Sequence, residues 1–244
     1  MYCLGIRINS YKKETVIEHI RGLLRDNEQH TIFTPNPEML VDAKKDAYFT
    51  EVLNSSDLNI CDGFGIRLVS KFHIERITGV DLMQDICNVA AEEGKTVYLL
   101  GSGDEDVLKK VKEKLEKKKV NIAGMHAGVK ITTRDDGSID YDEEEHDAMI
   151  DDIIVCAPDI LFVAFGHGKQ EKWIYEQLPH LPSVKLAMGV GGTFDFIAGK
   201  AKRAPKLLRV LGLEWAWRLL LEPSRFKRIW KATVVFLFLV LKNR

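Results

Sequence analysis

The feature that most constrains this chain is a repeated junction. A short, continuously apolar run ends in a glycine-rich turn and is followed by a helical pattern. Thr96-Val97-Tyr98-Leu99-Leu100 enters Gly101-Ser102-Gly103 and a Lys/Glu-laced helix over 104–118. Ile160-Leu161-Phe162-Val163-Ala164-Phe165 enters Gly166-His167-Gly168 and a helix from Lys169, and Leu186-Ala187-Met188-Gly189-Val190 enters Gly191-Gly192-Thr193. Strands apolar at every position are covered on both faces, and strands alternating with helices make parallel sheets.

The other segments of residues 1–199 keep this rhythm, without an internal repeat or a Pro- or Gly/Ser-rich linker. Val16, Ile17, Ile20, Leu23 and Leu24 follow helical spacing, with Asn27 as a nearby stop. A strand near 31–34 leads into Thr34-Pro35-Asn36-Pro37, where Pro37 suits the first position of a helix. Leu58-Asn59-Ile60-Cys61 reads as a strand ending in the turn Asp62-Gly63, ahead of a helix over 64–72. Leu82, Met83, Ile86, Val89 and Ala90 mark a further helix, closed at Gly94. The expected fold is α/β: a Rossmann-like, mostly parallel sheet with helices on both faces, forming a catalytic domain over residues 1–198. Ligands of such sheets bind beyond the carboxyl ends of the strands. The loops at 34–36, 61–65, 101–103, 166–171 and 191–195 are therefore expected to converge on one cleft.

The net charge of −1 hides a split. Residues 200–244 hold 12 Lys+Arg and 2 Asp+Glu, leaving 23 basic and 34 acidic residues in 1–199. A basic tail of this kind points to an anionic surface. In residues 199–244 arginines are interleaved with leucines and with Trp215, Trp217, Phe226 and Trp230, the composition of an amphipathic helix lying on a membrane. The apolar run Ala232–Leu241 is too short to span, since a spanning helix needs about 17–25 residues. The alternative is an amphipathic helix docked on the body or on another subunit, which leaves a homo-oligomer open. Nucleic acid is disfavoured, because so much aliphatic surface has no use against phosphates. Cys3, Cys61, Cys87 and Cys156 contain no CxxC pair and suit a reducing compartment. The first residues lack a basic stretch followed by a long apolar core, so no signal peptide is expected. Peripheral attachment at the cytoplasmic face of a membrane follows as the expectation.

Asp62 stands at a strand's carboxyl end with glycine beside it, which suits a general base; a helix N-cap is the competing role. Arg76, in Glu75-Arg76-Ile77-Thr78-Gly79, has the planar fork to clamp a diphosphate, against a solvated surface role. Thr34 and Asn36 are short polar groups that serve either a cleft or a turn and cap. Gly166-His167-Gly168-Lys169-Gln170-Glu171 opens a helix whose backbone donors suit phosphate or uracil oxygens. Gly101-Ser102-Gly103-Asp104-Glu105-Asp106 begins like a dinucleotide fingerprint but lacks its third glycine and the later ribose-binding acid. Asp104-Glu105-Asp106 and Asp140-Tyr141-Asp142 match a loose D-x-D metal pattern, yet both lie in acid-rich stretches where such a tripeptide arises easily by chance, and the first also suits a helix N-terminus. Residues 134–152, with ten acidic side chains and one arginine, read as an exposed loop and helix start.

Taken in order, these motifs resemble the WecG/TagA/CpsF family of bacterial glycosyltransferases. The resemblance is carried by Thr34-Pro35-Asn36-Pro37-Glu38, Cys61-Asp62-Gly63-Phe64-Gly65, Glu75-Arg76-Ile77-Thr78-Gly79-Val80-Asp81-Leu82, Leu99-Leu100-Gly101, Gly166 with Lys169-Gln170-Glu171, Gly189-Val190-Gly191-Gly192-Thr193-Phe194-Asp195, Arg203-Ala204-Pro205, Gly212-Leu213-Glu214-Trp215 and Glu222-Pro223. His167-Gly168 departs from it, where a small residue and proline are usual. The resemblance implies an inverting, metal-independent transferase with no cofactor. It would move an N-acetylmannosamine-type sugar from a UDP donor to polyprenyl-diphosphate-linked N-acetylglucosamine in wall or surface polysaccharide synthesis. It implies Asp62 as base, Thr34 and Asn36 as polar cleft residues, Arg76 near the reacting groups, and Arg218, Arg225 and Arg228 closing over the donor diphosphate. Gly63, Gly101, Gly166, Gln170, Glu171, Gly191 and Gly192 are the further expected substrate contacts. Other UDP-sugars (UDP-ManNAcA, UDP-glucose, UDP-GlcA) in capsule or exopolysaccharide synthesis are the alternative. An NAD(P)-linked oxidoreductase and a noncatalytic membrane adaptor are the remaining classes.

Overall fold

The computed structural model describes residues 1–242. Its strands are β1 (Tyr2–Cys3), β2 (Ile6–Arg7), β3 (His30–Phe33), β4 (Leu58–Asn59), β5 (Thr96–Gly101), β6 (Asn121–His126), β7 (Thr132–Thr133), β8 (Ile139–Asp140), β9 (Ile160–Ala164) and β10 (Leu186–Gly189). Six of them form one sheet in the order β4-β3-β10-β9-β5-β6, and every pairing in it is parallel. β1 with β2 and β7 with β8 make two small antiparallel ribbons outside it.

The helices of the body are α1 (Lys13–Leu23), α2 (Pro37–Ala43), α3 (Ala47–Ser55), α4 (Phe64–Val69), α5 (Gly79–Glu93), α6 (Glu105–Glu116), α7 (Glu143–Cys156), α8 (Lys169–Gln177) and α9 (Thr193–Ala198). They cover both faces because successive strand residues point to opposite sides. Tyr98 and Leu100 join a core with residues of α2, α3, α7 and α8. Val97 and Leu99, their immediate neighbours, join a second core with residues of α1, α5, α6 and α9. This is the expected α/β sheet.

Local signals set the helix ends. Pro37 opens α2, and the Asn36 side chain accepts from the backbone N–H groups of Glu38 and Met39. Gly94 closes α5 at φ +66°, a conformation in which a side chain is costly. The helix expected over 64–72 ends at Val69, and Lys71 and Phe72 instead take left-handed conformations at φ +53° and +65°.

Beyond α9 the chain continues as α10 (Lys206–Val210), α11 (Glu214–Leu221), α12 (Phe226–Trp230) and α13 (Phe236–Lys242), with a π-helical turn over Lys231–Val235. α13 packs on α2 and α4, and Phe236 is fully buried there. The tail is thus docked on the body. It still exposes Leu207, Leu220, Phe226, Trp230, Phe238 and Leu241. Among the described residues, no helix is long and apolar enough to cross a membrane.

Candidate active site

Asp62 lies just past β4, where its backbone N–H donates to Pro35 O at 3.2 Å and Ile77 N donates to Cys61 O at 2.9 Å. Gly63 is required at this crossing, since a Cβ on it would stand 2.1 Å from Pro37 Cδ. The Thr34 hydroxyl and the Asp62 carboxylate meet at the start of α5: a Cβ on Gly79 would lie 3.2 Å from Thr34 Oγ1 and 3.9 Å from Asp62 Oδ2. Burial pushes the Asp62 carboxyl up to about 6; the Arg76 guanidinium opposes the rise and the Glu214 carboxylate adds to it. A carboxylate of that strength is ionised near neutral pH and still accepts a proton readily.

Asp62 opens into a cavity of about 410 Å³ between body and tail. Asn36, Asp62, Gly63 and Arg76 line it from the body, and Glu214, Arg218, Arg225 and Arg228 from the tail. Asn36 keeps its cap role here, with Oδ1 accepting from Glu38 N at 2.9 Å.

The four arginines are held differently. Arg76 donates from Nε to Asp62 O at 2.7 Å, from Nη1 to Arg209 O at 3.0 Å and from Nη2 to Glu214 Oε2 at 3.0 Å. Its fork grips the tail, a role between the two expected from sequence. Arg225 pairs with Glu222. Arg228 makes a forked contact with buried Glu38, at 3.0 Å from Nε and 2.9 Å from Nη2. Arg218 has no hydrogen-bonded or ion-paired partner among the described residues; its guanidinium lies over the Phe196 ring at 5.0 Å. Burial and the charges of Arg225 and Arg228 hold its pKa below the usual arginine value. The Glu222 and Glu214 carboxylates offset this only in part, and a half-buried cation with no bonded partner among the described residues is a ready anion site.

The remaining expected contacts sit elsewhere. β4 and β5 are four places apart in the sheet, which separates Gly101 from Asp62 by about 19 Å at the usual strand spacing. Gly101 instead permits β5 to approach β9: a Cβ there would meet Ala164 backbone at 2.8 Å. Gln170 and Glu171 are buried and act within the fold. Gln170 Oε1 accepts from Gly191 N at 3.0 Å, and a Glu171 carboxylate oxygen accepts from Gly168 N at 2.7 Å. Gly166 takes φ +83° with no close neighbour to a Cβ. Gly191 is held by Gln170, and a Cβ on Gly192 would lie 3.9 Å from Arg218 Nη2, so only Gly192 approaches the arginine end.

Both D-x-D tripeptides do structural work. Asp104 caps α6 and pairs with Lys200 at 2.8 Å, and Asp142 caps α7 while Asp140 pairs with Arg134. Among the described residues, the group with metal-ligand spacing is Glu38, Asp42 and His167, whose ligand atoms lie within 4.8 Å of one another. Tail cations already meet those carboxylates, Arg228 on Glu38 and Lys231 Nζ on Asp42 Oδ1 at 2.8 Å. His167 bonds Asp42 at 3.1 Å and Arg228 at 3.3 Å, so it joins the contacts by which the tail is docked.

Glu214 is the site residue that reasoning from sequence passed over, although it stands in the quoted Gly212-Leu213-Glu214-Trp215. It meets Arg76 at 3.0 Å and Arg203 at 3.7 Å. Arg203 in turn grips Asp81 at 2.7 Å and Thr78 at 2.9 Å. Its place as one of two acids in a strongly basic tail was the available signal.

Comparison with known proteins agrees with this architecture. Residues 1–244 match the glycosyl transferase WecG/TagA/CpsF family. A relative from Bacillus subtilis (strain 168), N-acetylglucosaminyldiphosphoundecaprenol N-acetyl-beta-D-mannosaminyltransferase, is 35% identical over 202 residues, covering 81% of this chain and 74% of its own length. The chain is a glycosyltransferase and belongs to the WecG/TagA/CpsF family.

Proposed function

We propose that the enzyme transfers N-acetylmannosamine from a UDP donor to N-acetylglucosamine carried on undecaprenyl diphosphate. The acceptor and sugar are those in the name of the Bacillus subtilis relative. The observation that carries the reading is one cavity holding a carboxylate poised near 6 and an unpaired arginine flanked by two more.

In this reaction the acceptor hydroxyl oxygen attacks C1 of the donor sugar, and the bond from C1 to the diphosphate breaks. Asp62 takes the hydroxyl proton as the oxygen attacks. UDP leaves with a developing negative charge, which Arg218 meets first and Arg225 and Arg228 support. These cations do the work that a divalent ion does elsewhere, so the reading requires no metal. An α-linked donor and a β-linked product need one inversion, hence one base and no covalent sugar–enzyme intermediate. Thr34, beside the Asp62 carboxylate, orients that group or the hydroxyl it deprotonates.

The docked tail closes the cavity while keeping tryptophan, leucine and cationic side chains outward, which suits peripheral attachment to an anionic membrane carrying the acceptor. Nucleotide sugars are cytoplasmic, which puts the work at that face.

The test is full-length protein with a lipid-diphosphate-GlcNAc acceptor and UDP-ManNAc, UDP-ManNAcA, UDP-glucose or UDP-GlcA, reading released UDP. Turnover with UDP-ManNAc alone supports the reading. Turnover with another sugar keeps the mechanism and changes the pathway, and silence without UDP binding ends it.

A further inference from the structure

The cavity has an apolar side that the chemistry above leaves unused. Phe64 and Leu68 of α4 line it together with Phe236 and Leu237 of α13. The two helices are in close contact: a Cβ on Gly65 would lie 3.3 Å from the Phe236 ring. This side is not sealed. Leu68 and Leu237 are 43% and 38% exposed, so the apolar lining runs from the interior to the surface.

Phe72 extends that path outward. It is 54% exposed, packs edge-on against Phe64 with ring centroids 6.1 Å apart, and lies under the Arg67 guanidinium at 5.3 Å. Lys71 and Phe72 both occupy the left-handed region, which side chains avoid and which persists where the surroundings impose it. A large aromatic therefore stands exposed beside Phe64, one of the cavity's lining residues. Arg67 and Lys71 beside it suit an anionic surface.

We propose that this α4–α13 wall, with Phe72 at its outer end, holds the first isoprene units of the acceptor and leads the chain from the cavity to the bilayer. The proposal rests on the acceptor reading above. A polyprenyl diphosphate has a charged head and an apolar chain joined end to end, and the cavity offers arginines and this wall in the same order. The proposal commits to the acceptor's own chain, with bilayer anchoring as the competing occupant.

Full-length wild type, Phe72→Ser and Leu68→Gln are compared on two acceptors with the same GlcNAc-diphosphate head, one carrying an undecaprenyl chain and one a butyl chain. Vesicle flotation on anionic liposomes is measured in parallel. The expected result is that the preference in kcat/KM for the long chain over the short falls roughly tenfold in each variant while flotation is kept, since the lost contact is one apolar side chain's burial. Phe72→Leu should restore it. An unchanged preference overturns the proposal. A preference that falls only in step with lost flotation overturns it too, and assigns the patch to anchoring. If wild type uses neither acceptor while binding no UDP, the acceptor reading itself fails and the proposal with it. If wild type uses both equally, the proposal alone fails.

Discussion

Arg76 Nη2 donates to Glu214 Oε2 at 3.0 Å across 138 residues of chain, while Arg76 Nε holds the backbone carbonyl of Asp62 at 2.7 Å. One guanidinium therefore ties the candidate base to the tail. Glu214 is the carboxylate in this tie, which a bond from Arg76 Nη1 to Arg209 O also supports, and Arg203 shares it at 3.7 Å. Replacing it removes the shared anion from two mostly buried cations.

Glu214→Ala should undock the tail without unfolding the body. Breaking a buried pair from one side costs about 3 kcal/mol, a shift of roughly a hundredfold toward the undocked form. Limited proteolysis between residues 199 and 242 checks this. Unchanged protection would show that the remaining ties, Arg228 with Glu38, Lys231 with Asp42 and the buried Phe236, hold the tail without it.

Asp62→Asn should lower turnover by roughly 10²–10⁴-fold and raise the melting temperature at pH 7.5. The folded carboxyl is raised to about 6 from 3.8. The folded state thus binds the proton more tightly, and stability from this group is lost as pH rises from about 4 through 6. At pH 7.5 the native protein carries a charge that burial disfavours, worth at most about 3 kcal/mol. The gain in melting temperature should vanish at pH 4. A variant that is destabilised at pH 7.5 would place Asp62 in a structural role.

The same value sets the acid limb of the rate. With Asp62 as base, kcat/KM should fall tenfold per pH unit below about 6. Activity that stays flat down to pH 5 would assign the proton to another group.

Arg218→Met should cut turnover by roughly 10²–10³-fold, the range for losing one preorganised charge-stabilising donor. It should leave the melting temperature unchanged or raise it, because the charged form is disfavoured by burial and by Arg225 and Arg228. Loss of both activity and stability would mean that the cation–π contact with Phe196 matters more than the anion.

Excess chelator should leave turnover unchanged if, as proposed, arginines offset the leaving-group charge. A collapse restored by a divalent cation would redirect attention to Glu38, Asp42 and His167, the described group with ligand spacing.

The sequence by itself determined what depends on near neighbours. The apolar runs became the parallel sheet because a strand buried on both faces must be apolar at every position. Pro37, Asn36, Gly94 and Asp104 placed helix ends because cap chemistry acts within three or four residues. Asp62 was legible as a candidate, and it does line the cavity, because it follows one of those strands beside an obligatory glycine. Tertiary structure decided which loops meet. Sheet order put Gly101 four strands from Asp62, although both stand at strand ends. The partners of the tail were also decided there: Arg228 reaches Glu38 across 190 residues and Lys231 reaches Asp42 across 189. A salt bridge has no sequence period, so such pairs leave no pattern along the chain, and the role of Glu214 emerged only once Arg76 was placed beside it.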